Sequence, residues 1–144
     1  MAKAAATKRK QPTKVRITAE QRRDWRALSY EHWNVRTLHA YFADMNAEYF
    51  GVAEYYPMRN WAFEQGVLKR ALAEYGAEML RAAFDECFRG YRPTPSFPIL
   101  TAGFAVSYRL NAIMPRLLAE KAENDRRETE MAAAETAEIG GVAW

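Results

Sequence analysis

The chain has 144 residues and a mass of 16.6 kDa, with 49% hydrophobic and 13% aromatic residues. This size suits one compact domain with tails, and the apolar share excludes a chain that is disordered throughout. No apolar run approaches the roughly 18 residues of a membrane span, and the charged N-terminus does not fit a secretory signal peptide. Because Cys87 is the single cysteine, an internal disulfide is excluded and a cytoplasmic location is expected.

The net charge of +3 conceals a strong polarity along the chain. Residues 1–30 hold nine basic and two acidic side chains, residues 31–118 hold nine of each, and residues 119–144 hold three basic and seven acidic ones. We therefore predict three parts: a disordered basic arm, 1–17; a helical domain, 18–118; and an acidic, partly helical tail, 119–144.

Helix signals begin at Thr18, whose spacing from Gln21 fits a capping box and predicts a short helix over 19–30. Asn34 is a good N-cap for a second helix, about 35–50. Apolar residues of this second helix follow the i, i+3, i+4, i+7 spacing, which predicts one buried face.

Two more helices are predicted after a loop, 51–60, that a proline interrupts. Asn60 is suited to cap the first of them, about 61–75, and Gly76 to end it. The second, about 77–89, follows after a single turn, so the pair is expected to form a helical hairpin.

Residues 89–98 hold three prolines within six positions, which excludes regular structure. Ser96 is predicted to cap a last long helix, and this helix is expected to bury one side: Leu100, Phe104, Tyr108 and Ile113. The predicted fold class is all-α, a compact bundle of about five helices with a disordered basic arm and an acidic, partly helical tail.

Residues suited to catalysis do not form a recognisable pattern. His32 and His39 lack the neighbours of a metal site, and Cys87 lies on an apolar stripe, which is typical of a buried structural thiol. Phosphate-binding glycine loops and a serine elbow are also missing from the sequence. We therefore expect a protein that is not an enzyme and needs no cofactor.

The basic arm and first helix are the predicted contacts to nucleic-acid phosphate, because lysine and arginine release counterions there. Trp25 is predicted to stack on bases, with core packing as its alternative role. A solubilising tail is the alternative for the arm, and a membrane surface is a weaker one, since no lipidation signal accompanies it. The predicted basic contacts are Lys8, Arg9, Lys10, Lys14, Arg16, Arg22, Arg23 and Arg26.

An aromatic loop gives a second candidate surface, for a protein partner, because tyrosine, tryptophan and arginine dominate interface energetics. Its predicted contacts are Tyr55, Tyr56, Arg59 and Trp61. The alternative is a loop that folds back to cover the core, and the second loop, 91–97, leaves the same two possibilities open. Three roles stay open for the acidic tail: an intramolecular mimic of nucleic acid that shields the basic arm, a docking helix for a basic partner, or a solvated helix.

The order of features over 33–118 resembles small helical proteins encoded by bacteriophages. The features that carry this resemblance are Trp33, Leu38, Tyr41-Phe42, Tyr49 and Gly51; Trp61; Leu68-Lys69-Arg70, Leu72, Tyr75-Gly76 and Glu78; and Pro93 to Pro98. The resemblance implies a DNA-binding or replication accessory protein of the helicase-loader-like kind. No functional residue is carried over from it, because its positions are core and turn residues.

These observations predict a non-enzymatic nucleic-acid-binding accessory protein, phage-encoded and acting in replication or genome handling. The alternative is a protein-interaction module, either a host-protein inhibitor or a virion assembly component, that binds through the aromatic loops and the acidic tail.

Overall fold

The computed structural model describes residues 16–142, and within this range all regular structure is helical. A 3₁₀ turn, Tyr30–His32, lies between the first two helices. The helices are α1, Ala19–Arg23; α2, Val35–Phe50; α3, Trp61–Tyr75; α4, Ala77–Gly90; and α5, which continues from Ala102–Phe104 through a π-helical segment, Ala105–Arg109, into Leu110–Val142. The prediction of an all-α bundle of about five helices is confirmed.

Local capping sets the ends of α2 and the start of α3. The Asn34 side chain accepts a hydrogen bond from the Thr37 amide at 3.1 Å, and Asn60 accepts one from the Phe63 amide at 2.7 Å. Gly51 ends α2 with a φ of 71°, a left-handed conformation that glycine adopts without steric cost. The predicted bounds of α2, α3 and α4 are therefore right to within a residue.

The hydrophobic core is built largely from rings that α2 and α4 present to each other. Phe42 lies 4.8 Å from Phe84, and Tyr41 lies 5.8 Å from Phe88, measured between ring centroids. All four residues are buried. Because burying a large apolar side chain contributes about 1.5–3 kcal/mol, this cluster offsets several kcal/mol of the chain entropy lost on folding.

The first helix is shorter than predicted, ending at Arg23 rather than near residue 30. Hydrogen bonds donated by two indole rings hold the chain beyond it in turns. The Trp25 indole donates to the Asp44 carboxylate at 2.8 Å, and the Trp33 indole donates to the Leu28 carbonyl at 3.0 Å. The first of these contacts depends on α2, so the helical spacing of 19–30 does not reveal it.

The last helix begins later than predicted, because Thr101 and not Ser96 caps it. The buried Asn46 side chain binds the backbone of Leu100 twice, donating to its carbonyl at 2.9 Å and accepting from its amide at 2.8 Å. Because the amide and the carbonyl of Leu100 are both bonded to a side chain of α2, the last helix starts after residue 100.

The π-helical segment changes which side of α5 faces the core. Ala105, Leu110 and Met114 are buried, so the buried positions step by five residues and then by four. Tyr108 is 63% exposed, and its predicted place in the core is wrong. The extra residue in this turn places Leu110 in the core and leaves Arg109 on the surface.

The acidic tail continues α5 without a break at residue 118, so the predicted domain boundary falls inside a helix. Side chains over 119–137 are exposed except for the half-buried Glu123. Exposed ion pairs such as Lys121 with Asp125, at 3.0 Å, are screened by solvent and therefore add little to stability. Within residues 16–142, no helix combines the length and the apolar character needed to cross a membrane.

Cys87 is expected to resist thiol reagents while the protein is folded. Its side chain is buried, and burial raises the pKa of the thiol to about 12, so the reactive thiolate is scarce near neutral pH. A disulfide reagent at pH 8 should modify Cys87 only after denaturant is added. Rapid stoichiometric modification of the native protein would contradict the buried placement.

Candidate binding groove between two loops

The predicted nucleic-acid contacts of the first helix are only partly free to act. Arg16 and Arg23 are exposed. Arg22, by contrast, donates to the His32 carbonyl, and Arg26 pairs with Glu48. The remaining predicted contacts lie outside the described residues: Lys8, Arg9, Lys10 and Lys14.

Trp25 belongs to the core and not to a base-stacking surface. It is 2% exposed, its ring lies 4.9 Å from that of Tyr41, and the guanidinium groups of Arg26 and Arg81 lie 4.1 Å and 5.0 Å from its centroid. A base has no access to either ring face. The prediction that Trp25 stacks on bases is therefore wrong, and its alternative role in core packing is the observed one.

The four predicted residues of the aromatic loop point in different directions. Tyr55 is half-buried, and its hydroxyl donates to Glu64 at 2.6 Å and accepts from the Ala102 amide at 2.8 Å. Tyr56, Arg59 and Trp61 are exposed. Tyr55 thus supports the loop from inside, while the other three remain available to a partner.

Beneath this loop lies Glu64, a carboxylate with no solvent exposure. One of its oxygens accepts from the Tyr55 hydroxyl and from His39 Nε2, at 3.1 Å. The other accepts from the amides of Met58, at 2.9 Å, and Gly103, at 2.7 Å. Four donors therefore compensate one buried charge, as the cost of desolvation requires.

The environment of Glu64 keeps it ionised. Burial acts to raise its pKa, but the hydrogen bonds from His39, Tyr55, Met58 and Gly103 together outweigh burial and lower the pKa below its ordinary value. The carboxylate joins the loop 51–60 to the start of α5. It therefore fixes the spacing of two segments that both contribute lining residues to a groove.

Gly103 allows the start of α5 to approach the loop 51–60 and α3 closely. A Cβ added there would meet the Met58 side chain at 3.0 Å and the Phe63 ring at 3.1 Å. Gly103→Ala is therefore expected to destabilise the protein by roughly 1–3 kcal/mol and to displace Met58. Urea unfolding checks the first effect and amide chemical shifts of residues 55–60 check the second; an unchanged midpoint would contradict the tight packing. Gly90→Ala is a control, since no atom lies within 4 Å of its added Cβ.

The groove between the two loops has a volume of about 520 Å³, and we call it the arginine–aromatic groove. No carboxylate is among its lining residues. Three arginines therefore line it without a carboxylate beside them, which favours an anionic ligand. Its main lining residues are Tyr56, Arg59, Arg92, Phe97, Phe104 and Arg109.

Aromatic rings in the groove are both fixed and accessible. The Tyr91 hydroxyl donates to the Phe97 carbonyl at 2.8 Å, which holds the second loop closed, and Phe97 itself is 69% exposed. Phe104 lies 6.0 Å from Tyr91, and the Arg109 guanidinium lies 5.4 Å from the Phe104 centroid. A ligand with flat rings and negative charge matches this surface.

A second exposed surface adjoins the groove, and we call it the Trp61 patch. Trp61 is 48% exposed, and its ring meets His39 edge-on at 5.0 Å. Arg36 and Lys69 line the same depression, again without a carboxylate among the lining residues.

The even charge balance of residues 31–118 therefore conceals a segregation in space. Five of its nine basic residues lie on these two surfaces. Three others face carboxylates instead: Arg81 lies near Asp85, while Arg89 and Arg116 both lie near Glu86. The sequence placed Arg92 in a loop whose role stayed open and did not single out Arg109, because only the folded chain brings both arginines beside the aromatic loop.

Comparisons of the chain with protein-family models, with curated proteins and with solved structures find no match. Within residues 16–142, no group of three or more His, Cys, Asp or Glu side chains is placed to hold a metal ion. The chemistry of the groove and the patch is therefore the basis for assigning a function.

Proposed function

We propose that this protein is a non-enzymatic nucleic-acid-binding accessory protein whose arginine–aromatic groove contacts the strand. The observation that carries the proposal is the lining of the groove, with three arginines, exposed rings and no carboxylate. Guanidinium groups bind phosphate oxygens in a bidentate manner, and aromatic rings stack on bases of any sequence.

The basic arm adds attraction that does not depend on sequence. Lys8, Arg9, Lys10 and Lys14 precede the described residues, Arg16 is exposed before α1, and Arg23 is exposed at its end. Each phosphate that such side chains neutralise releases counterions, which strengthens binding at low salt. The groove is proposed to orient the strand, while the arm increases the rate of encounter.

The biological setting that we propose follows from the resemblance over 33–118. A phage-encoded protein acting in replication or genome handling meets exposed nucleic acid, which suits a small binding protein. This setting is an implication of the resemblance alone, and the groove chemistry does not depend on it.

A protein-interaction module is the second candidate function. Phe97 and Tyr56, 69% and 48% exposed, are suited to anchoring a protein partner. An aromatic protein interface of this kind is expected to respond weakly to salt, whereas phosphate binding weakens steeply.

Binding to labelled oligonucleotides, followed by fluorescence anisotropy between about 50 and 200 mM salt, tests the proposed function. We expect log-linear weakening with salt, and a shallower slope when residues 1–16 are deleted. A second variant keeps the full length of the chain and its acidic tail but has the arm lysines replaced by glutamine. Comparing it with the deletion separates the effect of the arm's charge from the effect of its length. Absence of binding at low salt, together with nuclease-resistant capture of a host protein, would favour the second candidate.

A further inference from the structure

We infer that the ligand is a single strand, and that it passes from the arginine–aromatic groove across Asn60 to the Trp61 patch. This inference rests on the proposed function and specifies its ligand. Three features support it: the concave shape of the groove, the continuity of the two surfaces, and the chemistry of the patch.

The shape of the groove favours single strands over duplex. Proteins usually read a duplex with a helix or ribbon that protrudes into a groove about 12 Å wide. The site here is concave instead, and its exposed rings, Tyr56 and Phe97, need base faces to stack on. A duplex keeps those faces inside its own stack, whereas a single strand can turn its bases outward.

The two surfaces meet at the start of α3. Arg59 lines the groove and Trp61 lines the patch, and only Asn60 separates them. The Cα atoms of Arg59 and Trp61 are two steps apart and so lie at most about 7.6 Å from each other. The groove and the patch therefore adjoin at the start of α3, and one strand can contact both.

The backbone at this junction is strained, which is a common property of binding sites. Arg59 has a φ of 64°, and among residues 16–142 no other non-glycine residue has a positive φ. The Asn60 amide donates to the Met58 carbonyl at 2.8 Å, and the Arg59 guanidinium lies 4.8 Å from the Phe63 centroid. The turn places Arg59 at the edge of the groove next to the patch, where a phosphate of the strand would pass.

The Trp61 patch offers a supported stacking platform. The ring is held from one side by His39 and by Tyr55, at 5.0 Å and 5.9 Å between centroids, while 48% of the residue remains exposed. Arg36 and Lys69 lie beside it to neutralise phosphates. The same pair of functions, stacking and phosphate binding, is therefore present on both sides of Asn60.

A length series of oligo-dT and oligo-rU strands, from about 4 to 16 nucleotides, tests the inference. Trp61→Ala should weaken binding of the long strands about tenfold and leave the shortest bound strand unaffected. Trp61→Phe should retain most of the affinity. Tyr49→Ala is the matched control, because Tyr49 is 45% exposed and lies outside both surfaces. The DNA and RNA series show which backbone the site prefers, and thermal unfolding confirms that each variant is folded.

Three results would overturn the inference. The first is a Trp61→Ala variant that matches the Tyr49→Ala control at every length. The second is duplex binding as tight as single-strand binding, and the third is displacement of the strand by polyglutamate of equal charge, which indicates an acidic protein ligand. If the wild-type protein binds no single strand at low salt, the proposed function itself is refuted.

Discussion

Replacing Glu64 with glutamine is expected to lower the free energy of unfolding by about 3 kcal/mol. The carboxylate accepts four hydrogen bonds while fully buried. Glutamine has only one acceptor oxygen, and its NH₂ group is a donor. This NH₂ group would lie against groups that also donate, either the backbone amides of Met58 and Gly103 or the Tyr55 hydroxyl. Urea unfolding of both proteins at pH 7 measures the difference.

A matched control is Glu74→Gln, since Glu74 lies on the same helix and is exposed. This control should stay within about 0.5 kcal/mol of the wild-type protein. Equal stabilities of the two variants would contradict the role of Glu64 as the buried link between the two loops.

The contribution of Glu64 to stability should also depend on pH. Its pKa in the folded protein lies below the ordinary value of 4.5, because the four donors outweigh burial. The contribution is therefore complete above pH 4.5 and is lost as the pH falls through the folded-state pKa. We expect the gap in unfolding free energy between wild type and Glu64→Gln to narrow from pH 5 downward. If the difference in unfolding free energy increased as the pH fell, the pKa of Glu64 in the folded protein would be raised and not lowered.

The second large effect is expected from reversing the charges of Arg92 and Arg109. Each arginine is proposed to make a charge-assisted bond to phosphate, worth about 1.5 kcal/mol, so the double Arg→Glu variant should bind a single strand at least about a hundredfold more weakly. Its salt slope should become shallower by roughly 1.4, at about 0.7 for each phosphate that the protein no longer neutralises. Anisotropy titrations over a salt series measure both quantities.

The acidic tail provides a control with the same change in net charge. Arg126 and Arg127 are exposed on α5 and pair with carboxylates of that helix. If the groove holds the strand, reversing this pair should weaken binding far less than reversing Arg92 and Arg109. Equal losses of affinity in the two double variants would mean that net charge, and not the groove, governs binding.

Local signals in the sequence were enough to predict most of the helical bundle. Asn34 and Asn60 each cap a helix by accepting a hydrogen bond from an amide three residues later in the chain. Gly51 ends α2 because glycine adopts a positive φ without steric cost. Such contacts span a few residues, so spacing alone reveals them. The stripe of α4 was predicted for the same reason, since its apolar residues repeat at helical spacing.

Features that depend on distant partners could not be read from spacing. The start of α5 is set by Asn46, which is 54 residues away from the Leu100 backbone that it binds. Glu64 looks like a surface residue in the sequence, because its four donors come from three other segments. The π-helical turn that exposes Tyr108 has no local signature here either.

The candidate site was predicted in part. The aromatic loop was singled out for its composition, and Tyr56, Arg59 and Trp61 are indeed exposed. Arg92 was considered only as part of the loop 91–97, whose role stayed open, and Arg109 was missed, because an electrically neutral stretch does not indicate that its charges separate on folding. Trp25 was misassigned because its basic neighbours suggest a nucleic-acid surface, whereas Arg26 and Arg81 cover its ring.

Photocrosslinking tests most directly whether the groove holds nucleic acid. A single strand carrying 5-iodouracil at successive positions is irradiated with the wild-type protein at low salt, and the modified residues are mapped by mass spectrometry. We expect adducts on Tyr56 and Phe97 in the groove and on Trp61 in the patch, all three exposed in the structure. Adducts confined to residues 1–16, with none on these three rings, would contradict the groove as the binding site.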